Sequence, residues 1–254
     1  MSLIDAIIIG LVQGITEFLP ISSSGHLVIF QNLLNINVPG NLIEVAAHLG
    51  TLLSIILIYW KEILNLIINI RLENTRKYIL FLIIGTLPSV FFVLSAKSFI
   101  LEMFESIKSV SLALIITGVV LLLSNLVSKR NENINLKKGL FIGLAQACAI
   151  IPGISRSGMT ISAALISGVS NKEAAKFSFL LAIPAILGAI IVTALDIRYE
   201  FASTIWLPIV ITSVTAFISG YYALKILIKL LESGKFYYFA YYCLLLGLIT
   251  LIIT

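Results

Sequence analysis

Charge is what this sequence has least of. Asp, Glu, Lys and Arg make up 11% of its 254 residues, where soluble domains carry about 25%. No long polar block interrupts the chain, which leaves no room for a separate soluble domain. Hydrophobic residues reach 59%, and the mean hydropathy is +1.10. The composition therefore excludes an ordinary globular enzyme and predicts a single all-α integral membrane domain over residues 1–254. Cysteine is scarce as well. Cys148 and Cys243 are the only two, and without metal-ligand spacing they read as small buried hydrophobes. The chain has no Walker A loop, H-E-x-x-H, C-x-x-C or G-x-G-x-x-G, which removes nucleotide loops, zincins, thioredoxin-type centres and dinucleotide folds. The start lacks a basic n-region and an A-x-A site, so a cleaved signal peptide is not expected. The net charge of +5 sits in loops, where it reports orientation before it reports a nucleic-acid partner.

What is there is apolar length. A spanning helix needs about 20 mostly apolar residues. Six segments reach or approach that: 42–60, 78–94, 110–127, 177–194, 205–227 and 236–253. Two further apolar regions are interrupted. Region 3–34 is broken by Pro20 and the SSSG run, and region 139–168 by Pro152, Gly153 and the SRSG run. Their halves are too short to cross, so each predicts a re-entrant helix–loop–helix pair. Irregular backbone at that depth is tolerated only inside protein or beside a wet cavity. The expected fold is six transmembrane helices plus two re-entrant pairs. Lys and Arg number four in 61–77, four in 128–138 and three in 225–235, with Lys172 and Lys176 besides; Lys97, Lys108 and Arg198 stand apart. If one pair dips in from each side, all the basic loops share one face. The positive-inside rule makes that face cytoplasmic, with both termini outside.

The chain also repeats itself. Residues 9–25, IGLVQGITEFLPISSSG, align without a gap on residues 142–158, IGLAQACAIIPGISRSG, at an offset of 133, with eight of seventeen positions identical. The same offset carries segment 42–60 onto 175–193. Each repeat, about 1–127 and about 139–254, holds one re-entrant pair and three spans. Three is odd, so the halves are inverted in the membrane. Inverted repeats with broken helices place a site near the midplane, where the breaks meet. The shared positions read as scaffold and the divergent ones carry the chemistry. Glu17 aligns with Ile150, Ser23 with Arg156, and His26 with Met159.

An ionisable group at membrane depth is expensive and reads as functional. Stretch 13–27, QGITEFLPISSSGHL, holds a carboxylate, three hydroxyls and an imidazole. Stretch 152–160, PGISRSGMT, holds the one arginine inside an apolar block. Gln13 and Glu17 are four apart and share a helix face. Pro20 ends that helix near Leu19, and Ser22, Ser23 or Ser24 caps the helix carrying His26. Two facing helix starts with an arginine make a phosphate-sized pocket, and a guanidinium fork matches phosphate oxygens. The expected roles are Arg156 on the phosphate, Ser23 or His26 as nucleophile, and Glu17 as base or, with Gln13, as metal ligand. Ser22, Ser24, Ser155, Ser157 and Thr160 are binding hydroxyls. Mg2+ or Ca2+ suits such oxygen ligands. Plain alternatives stand beside these roles: caps for Ser24, Ser155 and Ser157, a structural ion bridge between Glu17 and Arg156, and a backbone carbonyl as partner of His26. Glu44 and His48, also four apart, are an outlying pair. Gly10 with Gly14, and Gly139 with Gly143, read as close helix packing.

These motifs carry a resemblance. The chain resembles the undecaprenyl-diphosphate phosphatase family, also called the bacitracin-resistance (BacA/UppP) family, in QGITEFLPISSSGHL and PGISRSGMT. Its [E/Q]-x-x-x-E pattern is met by Gln13 and Glu17, and HLGTLL at 48–53 and FSFLLAIPAILGA at 177–189 are similar to family sequence. The resemblance covers nearly the whole chain. Gln13 stands where many members have a second glutamate, a departure that bears on any two-carboxylate metal site. The SSSGH and SRS fragments are faintly similar to acid phosphatase-like lipid phosphatases, but those need a histidine after the arginine, and none follows His48.

The resemblance implies hydrolysis of undecaprenyl diphosphate to the monophosphate and inorganic phosphate. That recycles the lipid carrier of cell-wall polymers and confers bacitracin resistance, at a site open to the outer face of the cell membrane. The implied partners are a polyprenyl diphosphate lipid and the bilayer, with a homodimer allowed and no nucleic acid. The other reading is a transporter or flippase for a polyprenyl phosphate lipid, since inverted repeats with broken helices are also a transporter architecture.

Overall fold

The computed structural model describes residues 1–34, 42–96, 103, 106–127, 132–196 and 206–253. All the regular elements there are helices: α1 Leu3–Phe18, α2 Ser23–Leu34, α3 Leu42–Ile58, α4 Trp60–Ile68, α5 Glu73–Ser95, α6 Ile107–Asn125, α7 Leu136–Cys148, α8 Arg156–Ile166, α9 Asn171–Asp196, α10 Trp206–Glu232 and α11 Tyr238–Ile253. Four of them, α5, α6, α9 and α10, are long and apolar enough to cross a membrane. The bent pair of α3 and α4 makes a fifth, and α11 is a shorter apolar helix. The protein is an all-helical, multi-pass membrane protein.

Burial runs in the order that a bilayer demands. Gln13, Glu17, Thr51, Ser111, Thr117, Gln146 and Thr212 are buried, while Leu87, Phe91 and Leu94 along α5 are 56%, 75% and 76% exposed. With lipid outside, apolar side chains gain nothing by turning inward, so polar ones hold the interior together. The interior also has its own apolar centre. Phe18, Tyr59, Phe177, Phe179 and Leu181 pack there, with the Phe18 and Phe179 rings edge to face at 5.8 Å.

Local chemistry sets the ends of the two interrupted regions. A capping box starts α1: Ser2 Oγ accepts from the Asp5 N–H at 3.2 Å, and Asp5 Oδ2 accepts from the Ser2 N–H at 2.7 Å. Pro20 stops it, leaving Leu19 extended at φ −63°, ψ 142°. Asn135 starts α7 by accepting from the Lys138 N–H at 3.0 Å. The halves are short as expected: α1 has 16 residues, α2 12, α7 13 and α8 11. At 1.5 Å per residue α1 is about 24 Å long, below the ~30 Å of a hydrocarbon core.

The two halves grip each other through these short helices. α1 lies along α10, and α7 along α5. The glycines flagged in the sequence make the contacts. A Cβ at Gly14 would sit 2.6 Å from the Ala216 carbonyl oxygen, and one at Gly143 would sit 2.4 Å from that of Gly85. Helix axes this close leave no space for a side chain.

Four expectations are corrected. Segment 42–60 is not one straight span: α3 ends at Ile58 and the chain turns by 70° into α4. Buried Tyr59 anchors the corner against Phe179, while Trp60 and Lys61 turn outward. Region 61–77 is therefore largely helix. Lys225 and Lys229 stand on α10, which runs on to Glu232. Cys148 is exposed and only Cys243 is buried, because Cys148 lies on the opposite side of α7 from Gly139 and Gly143. Lys97, Lys129, Arg130 and Arg198, which entered the orientation count, lie outside the described residues.

Candidate active site

The two breaks are built alike. Ser22 Oγ accepts from the Gly25 N–H at 3.3 Å and lies 3.2 Å from Ser24 Oγ. Ser155 Oγ accepts from the Gly158 N–H at 3.1 Å and lies 3.2 Å from Ser157 Oγ. The 133-residue offset thus recurs in hydrogen bonds. It recurs again where the breaks interlock: Gly25 lies against Gly153, and Gly158 against Pro20. Ser157 Oγ donates across to the Leu19 carbonyl at 3.3 Å. Thr117 on α6 steadies the second break, accepting from the Ser155 N–H at 3.1 Å and donating to the Gly153 carbonyl at 3.2 Å.

This interlock makes Ser23 and Arg156 the first residues of α2 and α8, and both reach Glu17 in the last turn of α1. Arg156 Nη2 pairs with Glu17 Oε1. Ser23 Oγ donates to Oε2 at 2.6 Å, and Gln13 Nε2 donates to the same oxygen at 3.0 Å. Glu17 is 7% exposed, so these three donors are what make a buried carboxylate tolerable; without partners it would cost several kcal/mol. Two buried atoms of the cluster have no partner among the described residues: Arg156 Nη1, a donor, and Gln13 Oε1, an acceptor. Ser23 itself is only half-buried. The cluster therefore offers an accessible hydroxyl bonded to a carboxylate, with a free guanidinium donor beside it. Those are the parts needed to attack an anionic electrophile and hold its oxygens.

The other expected residues take different posts. The hydroxyls of Ser22, Ser24, Ser155 and Ser157 are engaged inside the breaks. Thr160 Oγ1 donates to the Arg156 carbonyl at 2.8 Å and meets the Ser178 hydroxyl, supporting the backbone that carries the guanidinium. His26 lies outside the Glu17 cluster. Its Nδ1 meets the Ser22 carbonyl at 2.8 Å and its Nε2 meets the Tyr242 hydroxyl at 2.7 Å. His48 Nδ1 meets the Glu44 carbonyl at 2.8 Å. Among the described residues no three His, Cys, Asp or Glu side chains gather as a metal cluster. Thr117, Ser178 and Tyr242 were missed in the sequence. Lone hydroxyls in apolar spans flag the first two, while Tyr242 sits in a tyrosine-rich stretch where nothing singles it out.

An apolar groove of about 600 Å3 runs between the α1–α2 pair and α11, along the face of α1 away from Gln13 and Glu17. Leu11, Ile15, Leu19, Phe30 and Tyr242 line it, His26 faces into it from the first break, and Lys235 is its one charged residue.

The family described as Bacitracin resistance protein BacA matches residues 6–249. The chain is similar to the undecaprenyl-diphosphatase of Halothermothrix orenii, 39% identical over 258 residues that cover 100% of this chain and 98% of the relative. It is equally similar, at 39% over 274 residues, to that of Desulforapulum autotrophicum, covering 99% and 98%. Undecaprenyl-diphosphatase 3 of Bacillus anthracis is 38% identical over 258 residues, covering 97% and 96%.

Proposed function

The chain belongs to the bacitracin-resistance protein family, and we propose on that footing that it hydrolyses undecaprenyl diphosphate to undecaprenyl phosphate and inorganic phosphate. This returns the lipid carrier to cell-wall polymer synthesis and confers bacitracin resistance. The observation that carries the reading to particular residues is the pairing at Glu17: Ser23 Oγ at 2.6 Å on one carboxylate oxygen, Arg156 on the other, and Arg156 Nη1 left free.

In this reading Arg156 Nη1 donates to a terminal phosphate oxygen. Ser23 Oγ attacks the terminal phosphorus and its proton passes to Glu17. The bond from that phosphorus to the bridging oxygen breaks, undecaprenyl phosphate leaves with the bridging oxygen, and Ser23 carries the phosphoryl group. The proton on Glu17 departs with the leaving phosphate. Water then attacks the phosphoserine, the Ser23 oxygen–phosphorus bond breaks, a proton of the water returns to Ser23 Oγ, and inorganic phosphate is released. Ser23 is preferred to His26 as nucleophile because both nitrogens of His26 are already bonded.

A divalent cation, Mg2+ or Ca2+, is part of the proposal. Gln13 Oε1 is a buried oxygen without a donor, and Glu17 is the carboxylate beside it. Mg2+ is commonly held by one or two carboxylates, with substrate phosphates completing its shell; Glu17 would join Gln13 Oε1 in holding it by giving up one of the donors now on its own oxygens. When bound by Glu17 and Gln13, the ion supplies neutralisation of diphosphate charge.

The isoprenoid tail is assigned to the lipid-facing groove along α1, which begins at Leu19 and Ile21 beside the first break. The six-span arrangement with two re-entrant pairs counts α3 with α4, and α11, as the fifth and sixth spans. The repeats at about 1–127 and 139–254 are supported by helices that begin at the same offset: Leu3 and Leu136, Ser23 and Arg156. With the basic face cytoplasmic, the site opens to the outside of the plasma membrane. Release of phosphate from undecaprenyl diphosphate by the purified protein tests the function. Lipid transfer between leaflets without phosphate release would replace it with the flippase reading.

A further inference from the structure

The two breaks share their caps yet turn at different places: Gly153 is left-handed, at φ +94°, where its counterpart is Pro20, and Ser22 is left-handed where its counterpart is not. Ser155 caps α8 in an extended conformation, at φ −77° and ψ 121°. Ser22, its counterpart, has φ +68° and is the one non-glycine residue in the left-handed region among the described residues. Both accept from the N–H three residues on, and both touch the serine two residues on at 3.2 Å. The cap therefore does not require the left-handed turn, and something else holds it. A serine does not adopt that conformation without restraint.

Against the Ser22 turn the first break sets His26, where the second has Met159. The Ser22 carbonyl oxygen is an acceptor, so the ring nitrogen that meets it at 2.8 Å, Nδ1, carries the proton. A neutral imidazole then has only an acceptor left at Nε2. The group 2.7 Å from Nε2 is the Tyr242 hydroxyl, which supplies the proton of that bond. The rings stack, with planes 12° apart and centroids at 5.7 Å. His26 is 5% exposed, so losing either bond leaves a buried polar atom unpaired. The carbonyl of the turn, which also accepts from the His26 backbone N–H at 3.3 Å, thus fixes which nitrogen of His26 carries the proton, and the hydroxyl from α11 anchors the ring by satisfying the other nitrogen. The residue after the turn is Ser23, whose hydroxyl lies 2.6 Å from Glu17.

We propose that Tyr242 is a positioning residue for the hydrolysis: by anchoring the His26 ring it holds the left-handed turn at Ser22 that aims Ser23 Oγ at Glu17. The inference rests on the reading in which Ser23 attacks the diphosphate. It also joins the two repeats functionally, since Tyr242 lies 216 residues from His26. Tyr242 lines the tail groove as well, and the experiment is chosen to separate that role from this one.

Tyr242→Phe keeps the ring and the groove wall and removes only the hydroxyl. The proposal expects kcat to fall by about tenfold to a hundredfold, with KM for undecaprenyl diphosphate unchanged. Adding Ser22→Gly to that variant should recover most of the loss, because glycine adopts the left-handed turn without being held there and is tolerated as a cap. Nitrogen-15 spectra of protein labelled at histidine give a readout free of turnover: the His26 Nε2 resonance is that of a hydrogen-bonded acceptor in the parent and moves to that of an unbonded one in Tyr242→Phe. A rise in KM at constant kcat would reduce Tyr242 to a groove wall and overturn the proposal. So would an unchanged Nε2 resonance, a shifted resonance with unchanged kcat, or a kcat loss that Ser22→Gly does not relieve. A parent protein that releases no phosphate would fail the hydrolase reading, while the spectra would still decide whether Tyr242 anchors the His26 ring.

Discussion

Arg156 reaches Glu17 across 139 positions of sequence and uses one terminal nitrogen to do so, leaving Nη1 buried and free. An arginine serving only as a structural bridge would be satisfied by a forked pair with both oxygens. Here the second carboxylate oxygen belongs to Ser23 and Gln13, so the guanidinium stays half committed.

Arg156→Ala should lower kcat/KM for undecaprenyl diphosphate by about 10²- to 10³-fold, the usual cost of losing a donor to developing charge. Arg156→Lys should recover only part of this, since an ammonium cannot hold Glu17 and a phosphate oxygen in one plane. Phosphate-release kinetics measure both, and the thermal midpoint in detergent reports whether Glu17 tolerates the change.

Ser23→Ala should abolish both turnover and a trappable phosphoserine, with a rate loss of at least about 10³-fold. Ser24→Ala, one residue on, should stay within about fivefold, because it removes a bond between two neutral hydroxyls worth about 1 kcal/mol. Peptide mass spectrometry after acid quench finds the phosphoserine or its absence.

Removal of divalent cations by a chelator should lower the rate at least about tenfold, and either Mg2+ or Ca2+ should restore it. Gln13→Leu deletes the free amide oxygen and should raise the concentration of cation needed for half-maximal rate. Titration of the chelated protein with each ion measures this directly.

Ile15→Trp narrows the groove along α1. It should raise KM for undecaprenyl diphosphate about tenfold and leave a short-chain prenyl diphosphate unaffected, as crowding in an apolar site predicts. Equal effects on both substrates would move the tail elsewhere.

Gly143→Ala should destabilise the protein by about 1–3 kcal/mol, because its new Cβ would lie 2.4 Å from the Gly85 carbonyl oxygen. Gly188→Ala meets nothing within 4 Å, and within α9 it should stabilise by about 0.5–1 kcal/mol. Thermal unfolding of the two variants in one detergent makes the comparison.

Much of this protein is decided by short-range chemistry and so is written along the chain. Pro20 and Pro152 break two apolar regions wherever they are placed, because a missing N–H and a steric clash act within one turn. Ser22 and Ser155 cap, and Gly14 and Gly143 pack, for equally local reasons. The duplication shows as letters at a fixed offset, and the ionisable residues stand out because the rest of their surroundings is apolar. Tertiary structure alone decided which hydroxyl is free to react. Ser22, Ser23 and Ser24 are chemically the same, and they differ only because the backbone at Ser22 is left-handed while Glu17 and Arg156 arrive from other helices. Tertiary packing also decided that His26 turns to Tyr242, that the chain bends at Tyr59, and that Cys148 faces outward. A hydrogen bond between residues 216 positions apart leaves no periodic trace in either segment, since its energy depends on helices meeting and not on what lies next to them in the chain.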